Sequence, residues 1–517
     1  MKMRVTKSCL LFSLTGSSLA YPKRETSAGP DAQKAKAIKE TYQRSWKGYY
    51  DHAFPNDTLT PLTNSYVNDR NRWGVTAIDA ISASIVLRDE KSVNQILEFV
   101  PTINFTTTAE PGDISLFETN IRYFGGLLSA YDLLSQEPWS DLVTNNTHVE
   151  ACLKQAQSLA DSLKFAFDTP SGVPDPIIQL NPEPKRHGST QNNIAEAGTL
   201  VLEWTRLSDI TGDPRYAELA QKAESYMLKP SPPETEPFPG LTGTFLSLED
   251  GTFVDKDGGW GGYTDSFYEY LIKMFLYDPE EFGLYKERWI AAADSTIQFL
   301  SSHPSTREDI TFLAQYAGTD IIPTSSHLAS FTGGNFMLGG IVLKEQKYID
   351  FGLTLANSYY ETYRGIITGI GPEGFRWVDN TLPTNSTNNL QPPSEDAGFC
   401  EKAGFWATST AYILRPGILE TLYYAYRATG DKNYQDMAWE AYENIVAAAE
   451  TGAAFSSLRD VTVVGGGYID KMESFWLTET LKYLFLMFDE ESELQVQKEG
   501  SKMRWVFNTE AHPVKIR

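Results

Sequence analysis

Three helix-like segments carry acids where a lone charge is costly. Glu118 and Arg122 in LFETNIRYFGG stand one turn apart, as do Asp265 and Glu269 in TDSFYEYLIK, and Phe475 and Glu479 in MESFWLTETLKY. Pairs at this spacing commonly lie on a solvated helix face. Here the flanking residues are apolar or aromatic. Burial of the acids then demands a partner or a ligand. Carboxylates among aromatics suit glycoside hydrolysis, in which one acid protonates the leaving oxygen and a second carboxylate works from the other side. Competing chemistries find less support. There are six histidines and no His/Cys spacing for zinc, and no glycine-rich phosphate loop follows a strand.

The elements that must position these acids are helical. Leu200–Leu228 reads as an amphipathic helix, a Thr-Gly-Asp turn and a second amphipathic helix. Ile418–Ala448 repeats the design. Thr211-Gly212-Asp213 and Thr429-Gly430-Asp431 are identical, with Tyr216 and Tyr434 at the same offset. Glycine closes one helix in a left-handed cap and Asp opens the next. Gly339–Tyr363 is a looser third copy. Recurrent hairpins imply a closed ring or an open solenoid. The uneven spacing and the long insertions Lys229–Gly262 and Asp379–Ala397 favour an all-α toroid with long loops on one face.

The chain has 517 residues, a formal charge of -23 and 13% aromatics. Such acidity repels phosphate backbones and excludes nucleic acid as a partner. The aromatics suit either sugar stacking or a large helical core. Lys2, Arg4 and Lys7, the apolar run from Cys9 to Leu14 and the small residues ending at Ala20 read as a secretory signal over 1–20. A linker over 21–34 and one domain over 35–517 follow. No later stretch is long and apolar enough for a membrane span. Sequons at Asn56, Asn104, Asn145 and Asn385 fit a secreted or lumenal glycoprotein. Cys152 and Cys400 pair with each other or stay as two buried thiols. The expected oligomeric state is a monomer.

The segments FETNIRYFGGLLSAYDLL, SGVPDP, LEWTRLSDITGDP, DSFYEYLIKMFLYDP, HLASFTGGNF, GIGPEGF, YILRP, DKMESFWLTETLKYLFL and VFNTEAHP occur in order from about residue 70 to the end. By them the chain resembles the class I α-1,2-mannosidases, glycoside hydrolase family 47, of the fungal secreted type. The resemblance implies an (α/α)7 barrel, one Ca²⁺, and inverting removal of terminal α-1,2-linked mannose from high-mannose N-glycans. It makes Glu118 the acid, Asp265 the second catalytic carboxylate and Thr509 the calcium ligand, through its hydroxyl and carbonyl oxygens. It places Arg122, His327, Arg415, Glu420, Phe475, Glu479 and Glu510 around the sugar, with Phe475 as an aromatic floor. Tyr263, two residues before Asp265, falls where relatives sort mannose branches.

The chain also departs from the family. Active members spell Leu-Arg-Pro-Glu where this sequence has Leu-Arg-Pro-Gly, so Gly417 replaces the carboxylate taken to be the base. Losing a general base costs about 10²–10⁴ in rate. Glu420, one turn on, starts some 5 Å away, too far for a direct takeover. In IDAISAS, Ser82 and Ala83 stand where the family has Asp-Thr. Ser330 and Ser358 replace two cysteines that form a disulfide in many relatives. Three functions follow as expectations: a slowed Ca²⁺-dependent α-1,2-mannosidase; a degenerate paralogue that binds mannose; and a folding-quality-control lectin, ranked last for want of that branch's extra domains.

Overall fold

The Thr-Gly-Asp turns fold as their spelling predicts. Gly212 and Gly430 close helices Val201–Thr211 and Gly417–Thr429 in left-handed conformations, φ 72° and 77°. Asp431 opens helix Lys432–Ala449 by accepting the Asn433 N–H. The looser third copy turns at Lys344, which is itself left-handed at φ 60°. The structure, a computed structural model, describes residues 30–383 and 387–517. The expected signal, most of the expected linker and the Asn385 sequon lie outside these residues. The first helix, Pro30–His52, begins five residues ahead of the expected domain boundary.

Seven such pairs build an (α/α)7 barrel. The inner ring is Val75–Val86, the run 116–134, Val201–Thr211, Asp265–Tyr277, Thr332–Leu343, Gly417–Thr429 and the run 476–488. Each packs on the next, and the last closes onto the first. Outside lie Glu90–Phe99, Thr147–Leu163, Arg215–Leu228, Gly283–Ser295, Gln346–Gly365, Lys432–Ala449 and Pro30–His52. The inner helix Val75–Val86 has no solvent face, every residue being buried, and the same holds for residues 332–341. Sequences buried on every side carry no one-sided apolar stripe. Among the described residues the strands are short and form eight sheets of two or three. Cys152 and Cys400 are both free and buried, which decides between the two alternatives.

The axis is plugged by the C-terminus. Strands Trp505–Phe507 and Pro513–Lys515 pair antiparallel, with Phe507 opposite Pro513. They pack on Gly125–Leu134 and Asp265–Tyr277. The tip, Asn508 to His512, thereby enters the ring. Gly125 is what admits it: a Cβ there would lie 2.5 Å from Asn508 Nδ2.

Candidate active site

The hairpin tip is held by hydrogen bonds from several inner helices. Asn508 Nδ2 donates to the Ile121 carbonyl (3.0 Å) and to Glu203 Oε1 (2.9 Å). Its Oδ1 accepts the N–H groups of Glu510 (2.9 Å) and His512 (2.8 Å), which folds the tip. Ala511 is forced to φ 55°. The Thr509 N–H donates to Tyr270 Oη (3.2 Å) and its hydroxyl to Glu269 Oε2 (2.8 Å). His512 Nε2 meets Asp79 Oδ1 at 3.1 Å. Ser82, one of the departures, bridges His512 Nδ1 (2.7 Å) and Lys482 Nζ (2.8 Å). A neutral hydroxyl thus stands between Lys482, which burial brings down to about 7, and His512, which burial brings down to about 4 and so leaves neutral.

Above the tip opens a cavity of about 470 Å³, in the range of small-ligand sites. Glu118, Arg122, Asp265, Arg415, Glu420, Phe475, Glu479, Thr509 and Glu510 all line it, together with Gly417 and Tyr263. His327 does not. It is buried behind the wall with Nε2 on Tyr363 Oη (2.7 Å), its ring 5.5 Å from that of Tyr412. Burial and the nearby Arg415 push it down to about 3, so it is neutral. Glu196 and Glu269 also line the cavity and were not singled out as site residues from the sequence. Glu269 carried a signal, as the one-turn partner of Asp265. Glu196 had only its place in a short helix, Ile194–Gly198.

Local structure sets each acid. Ser115 caps the turn Leu116–Glu118 by accepting the Glu118 N–H at 3.2 Å. Residues Thr119–Phe124 then form a π-turn that carries Arg122. A second π-turn, Trp476–Thr480, carries Glu479. Such turns recur at functional sites. Arg122 Nε donates to Glu118 Oε2 at 2.7 Å, its Nη1 lies 2.8 Å from Glu510 Oε1, and its guanidinium lies 5.5 Å from the Phe475 ring centre. Arg415, on Glu373 Oε1 at 2.6 Å, stands 5.9 Å from the same ring. Two cations thus stand near the Phe475 ring, a favourable contact for an aromatic side chain.

The two candidate catalytic carboxylates differ in charge. Burial pushes Glu118 up, but Arg122 and Arg70 outweigh it and hold the group below the usual carboxylate range. Asp265, at the start of its helix, accepts the Ser266 N–H (2.8 Å). Burial, reinforced by Glu269 and opposed by Arg415, raises it to about 7. At mildly acid pH, below about 7, the proton therefore sits on Asp265 and the charge on Glu118.

Around Thr509 the acids outnumber the cations. Glu420 is raised to about 8 by burial and by Glu269, against Lys273. Glu479 and Glu510 are held well above the usual range, first by burial and then by neighbouring carboxylates, Glu510 and Glu420 on the one and Asp79 and Glu118 on the other. Glu510 Oε2 is buried with no hydrogen-bond partner among the described residues. Among those residues no three His, Cys, Asp or Glu side chains are grouped as a metal cage. What fits a cation is an oxygen-only surface, with the Thr509 oxygens amid crowded buried acids that would lose their protons to a bound cation. That suits a hard ion such as Ca²⁺ completed by water and sugar hydroxyls.

The site now bears comparison with known proteins. The profile of Glycosyl hydrolase family 47 matches residues 41–516. The chain belongs to this family. A probable mannosyl-oligosaccharide alpha-1,2-mannosidase 1B of Aspergillus clavatus is 47% identical over 523 residues, covering 99% of both chains. The mannosyl-oligosaccharide alpha-1,2-mannosidase of Penicillium citrinum is 46% identical over 523 residues, covering 100% of this chain and 99% of its own. An alpha-1,2-mannosidase from Trichoderma reesei superposes with a TM-score of 0.91 at 57% identity, over 95% of this chain and 100% of that one. The chain is thus a family 47 glycoside hydrolase, and its plugged barrel is the architecture expected from the resemblance.

Gly417, where the resemblance leads one to expect a carboxylate, lines the cavity wall. A Cβ built on it would lie 2.6 Å from Ser330 Oγ and 2.9 Å from the His327 carbonyl oxygen. The turn 327–330 leans into that space, and Ser330 Oγ donates to the same carbonyl at 2.5 Å. Ser358, which the resemblance pairs with Ser330, accepts the Thr311 N–H at 2.9 Å. Both serine hydroxyls are used in local bonds.

Proposed function

We propose that this chain binds the terminal α-1,2-linked mannose of high-mannose N-glycans in the secretory pathway and hydrolyses that linkage slowly, with inversion. Calcium would be held by the Thr509 oxygens, and when bound it supplies a positive centre for the mannose hydroxyls. The observation that carries the proposal is the convergence of Glu118, Asp265 and Thr509 on one cavity over the barrel plug. Phe475 offers an apolar face for the sugar ring. Glu420 and Glu479 line the same cavity with hydroxyl-binding oxygens.

The resemblance gives the acid's part to Glu118, yet the surroundings favour Asp265 for it. A proton donor must hold its proton, and Asp265 does so up to about 7. Glu118, clamped by arginine, is the ionised partner. In such a pair the acid is the member whose environment keeps its proton. Glu118 supplies negative charge beside the sugar, and the water's proton acceptor is what Gly417 lacks. The sign is testable. With Asp265 working protonated, the rate falls as pH rises through about 7. With Glu118 working ionised, the rate falls as pH drops through its depressed pKa. Asp265→Asn should remove the upper limb and lower the rate by about 10²–10⁴. An upper limb that survives in Asp265→Asn and vanishes in Glu118→Gln would reverse the two parts.

A second reading has its own observation. Gly417 offers no carboxylate where the family has one, so a protein that grips mannose without turning it over is the alternative. Mannose release separates the two.

A further inference from the structure

We propose that Arg70 is a positioning residue of this site, a second arginine that holds Glu118 by the same oxygen as Arg122 and so turns the other oxygen to the cavity. Arg122 Nε lies 2.7 Å and Arg70 Nε 3.5 Å from Glu118 Oε2. The Arg70 Nε is buried and makes no hydrogen bond among the described residues, so this carboxylate is its nearby charge.

The loop that delivers Arg70 is built for the purpose. Asp57 is fully buried and accepts four backbone N–H groups: Arg70 (2.9 Å), Arg72 (2.7 Å), Gly74 (2.8 Å) and Val75 (3.2 Å). Tyr123 Oη donates to the Arg70 carbonyl at 2.6 Å. Between these anchors Asn71 and Arg72 take left-handed conformations, φ 74° and 62°, which side chains other than glycine rarely adopt. Strain of this kind persists only where its surroundings over-determine it. Farther out, Arg70 Nη1 donates to the Asp69 carbonyl at 2.9 Å. Lys471 Nζ lies 2.8 Å from both Asp69 Oδ2 and Glu473 Oε1. Opposite charges therefore alternate from Glu118 through Arg70, Asp69 and Lys471 to Glu473.

Four charged groups bear on Glu118. Arg122 comes from its own segment and Arg70 from the pinned loop. Glu196 comes from helix Ile194–Gly198 and Glu510 from the plug. Both acids oppose its ionisation. Without Arg70, one arginine faces two carboxylates, so Glu118 should take up a proton at higher pH.

The test compares parent, Arg70→Ala and Arg70→Lys, with calcium present. Expected in Arg70→Ala is an acid limb of mannose release moved up by about one pH unit, the usual effect of removing one adjacent charge. With it kcat/KM should fall about tenfold on the acid limb, at pH below the pKa of Glu118 in both proteins, stay nearly unchanged near neutrality, and KM stay within twofold. Arg70→Lys keeps the charge and should recover most of the shift. Calorimetric binding of Man-α-1,2-Man across the same pH range provides an arm that needs no turnover, and its pH dependence should move in the same direction. A parent that binds the disaccharide but releases no mannose would overturn the hydrolytic proposal and leave this arm to decide on Arg70. Should Arg70→Ala lose its cooperative melt, the Lys variant carries the comparison through a smaller shift of the same sign. Profiles that superimpose on the parent's in a folded variant would overturn the assignment.

Discussion

Gly417→Glu together with Ser330→Ala should raise the rate of mannose release about 10²- to 10⁴-fold over the parent, the usual worth of a general base. Gly417→Glu alone should not. The difference follows from the space around the residue. A side chain at 417 would start 2.6 Å from Ser330 Oγ and 2.9 Å from the His327 carbonyl. Forcing atoms into a packed site costs about 1–3 kcal/mol. The strain would tilt the new carboxylate as well as weaken the fold. Ser330→Ala removes the nearer atom and also the hydrogen bond that holds the His327 carbonyl, so the turn is freer to move that oxygen away from its 2.9 Å approach. Initial rates on Man-α-1,2-Man and melting temperatures of the two single variants and the double variant check this. A single Gly417→Glu as fast as the double would show that the turn 327–330 is soft. A double variant no faster than the parent would mean that the loss of the base does not limit this chain.

Removing calcium should abolish binding of Man-α-1,2-Man, and Thr509→Ala should do the same at any calcium concentration used for the parent. The tip that carries Thr509 keeps its bonds from Asn508 to Glu203 and from the Thr509 N–H to Tyr270, so the loss of the hydroxyl, and with it the contact to Glu269, should leave the plug in place. The effect on stability is separable. Calcium present at a hundred times its Kd adds about 2.7 kcal/mol. Chelation should therefore lower the parent's melting temperature and leave that of Thr509→Ala unchanged. Calorimetry with and without chelator, in parent and variant, reads both effects. Full disaccharide binding in chelator would remove Thr509 from its assigned part.

The hairpin architecture was legible because the outer helices keep an apolar stripe and the Thr-Gly-Asp turns name their own caps. The inner helices were harder. In FTGGNFMLGG every face is buried, and periodicity carries no information when no face meets water. The acids at 118, 265 and 479 could be picked out as costly charges in apolar surroundings. Their convergence with Thr509 came through the resemblance: the polar spelling of NTEAHP favours a run that threads a ring's axis over a plain tail only beside the other motifs. Arg70 left no local signal: it lies in a polar loop whose shape depends on Asp57, thirteen residues earlier. His327 shows the opposite failure. It was placed at the sugar by resemblance, whereas its side chain is spent on Tyr363 behind the cavity wall. The changed IDAISAS segment likewise acts on the plug, through Ser82 and His512.

The most direct measurement is proton NMR of Man-α-1,2-Man with the calcium-loaded protein during the first minutes of reaction, before the released sugar equilibrates its anomers. The account predicts slow appearance of β-mannose from the non-reducing end, and none after chelation. Release of α-mannose first, or neither release nor binding of the disaccharide with calcium present, would contradict it.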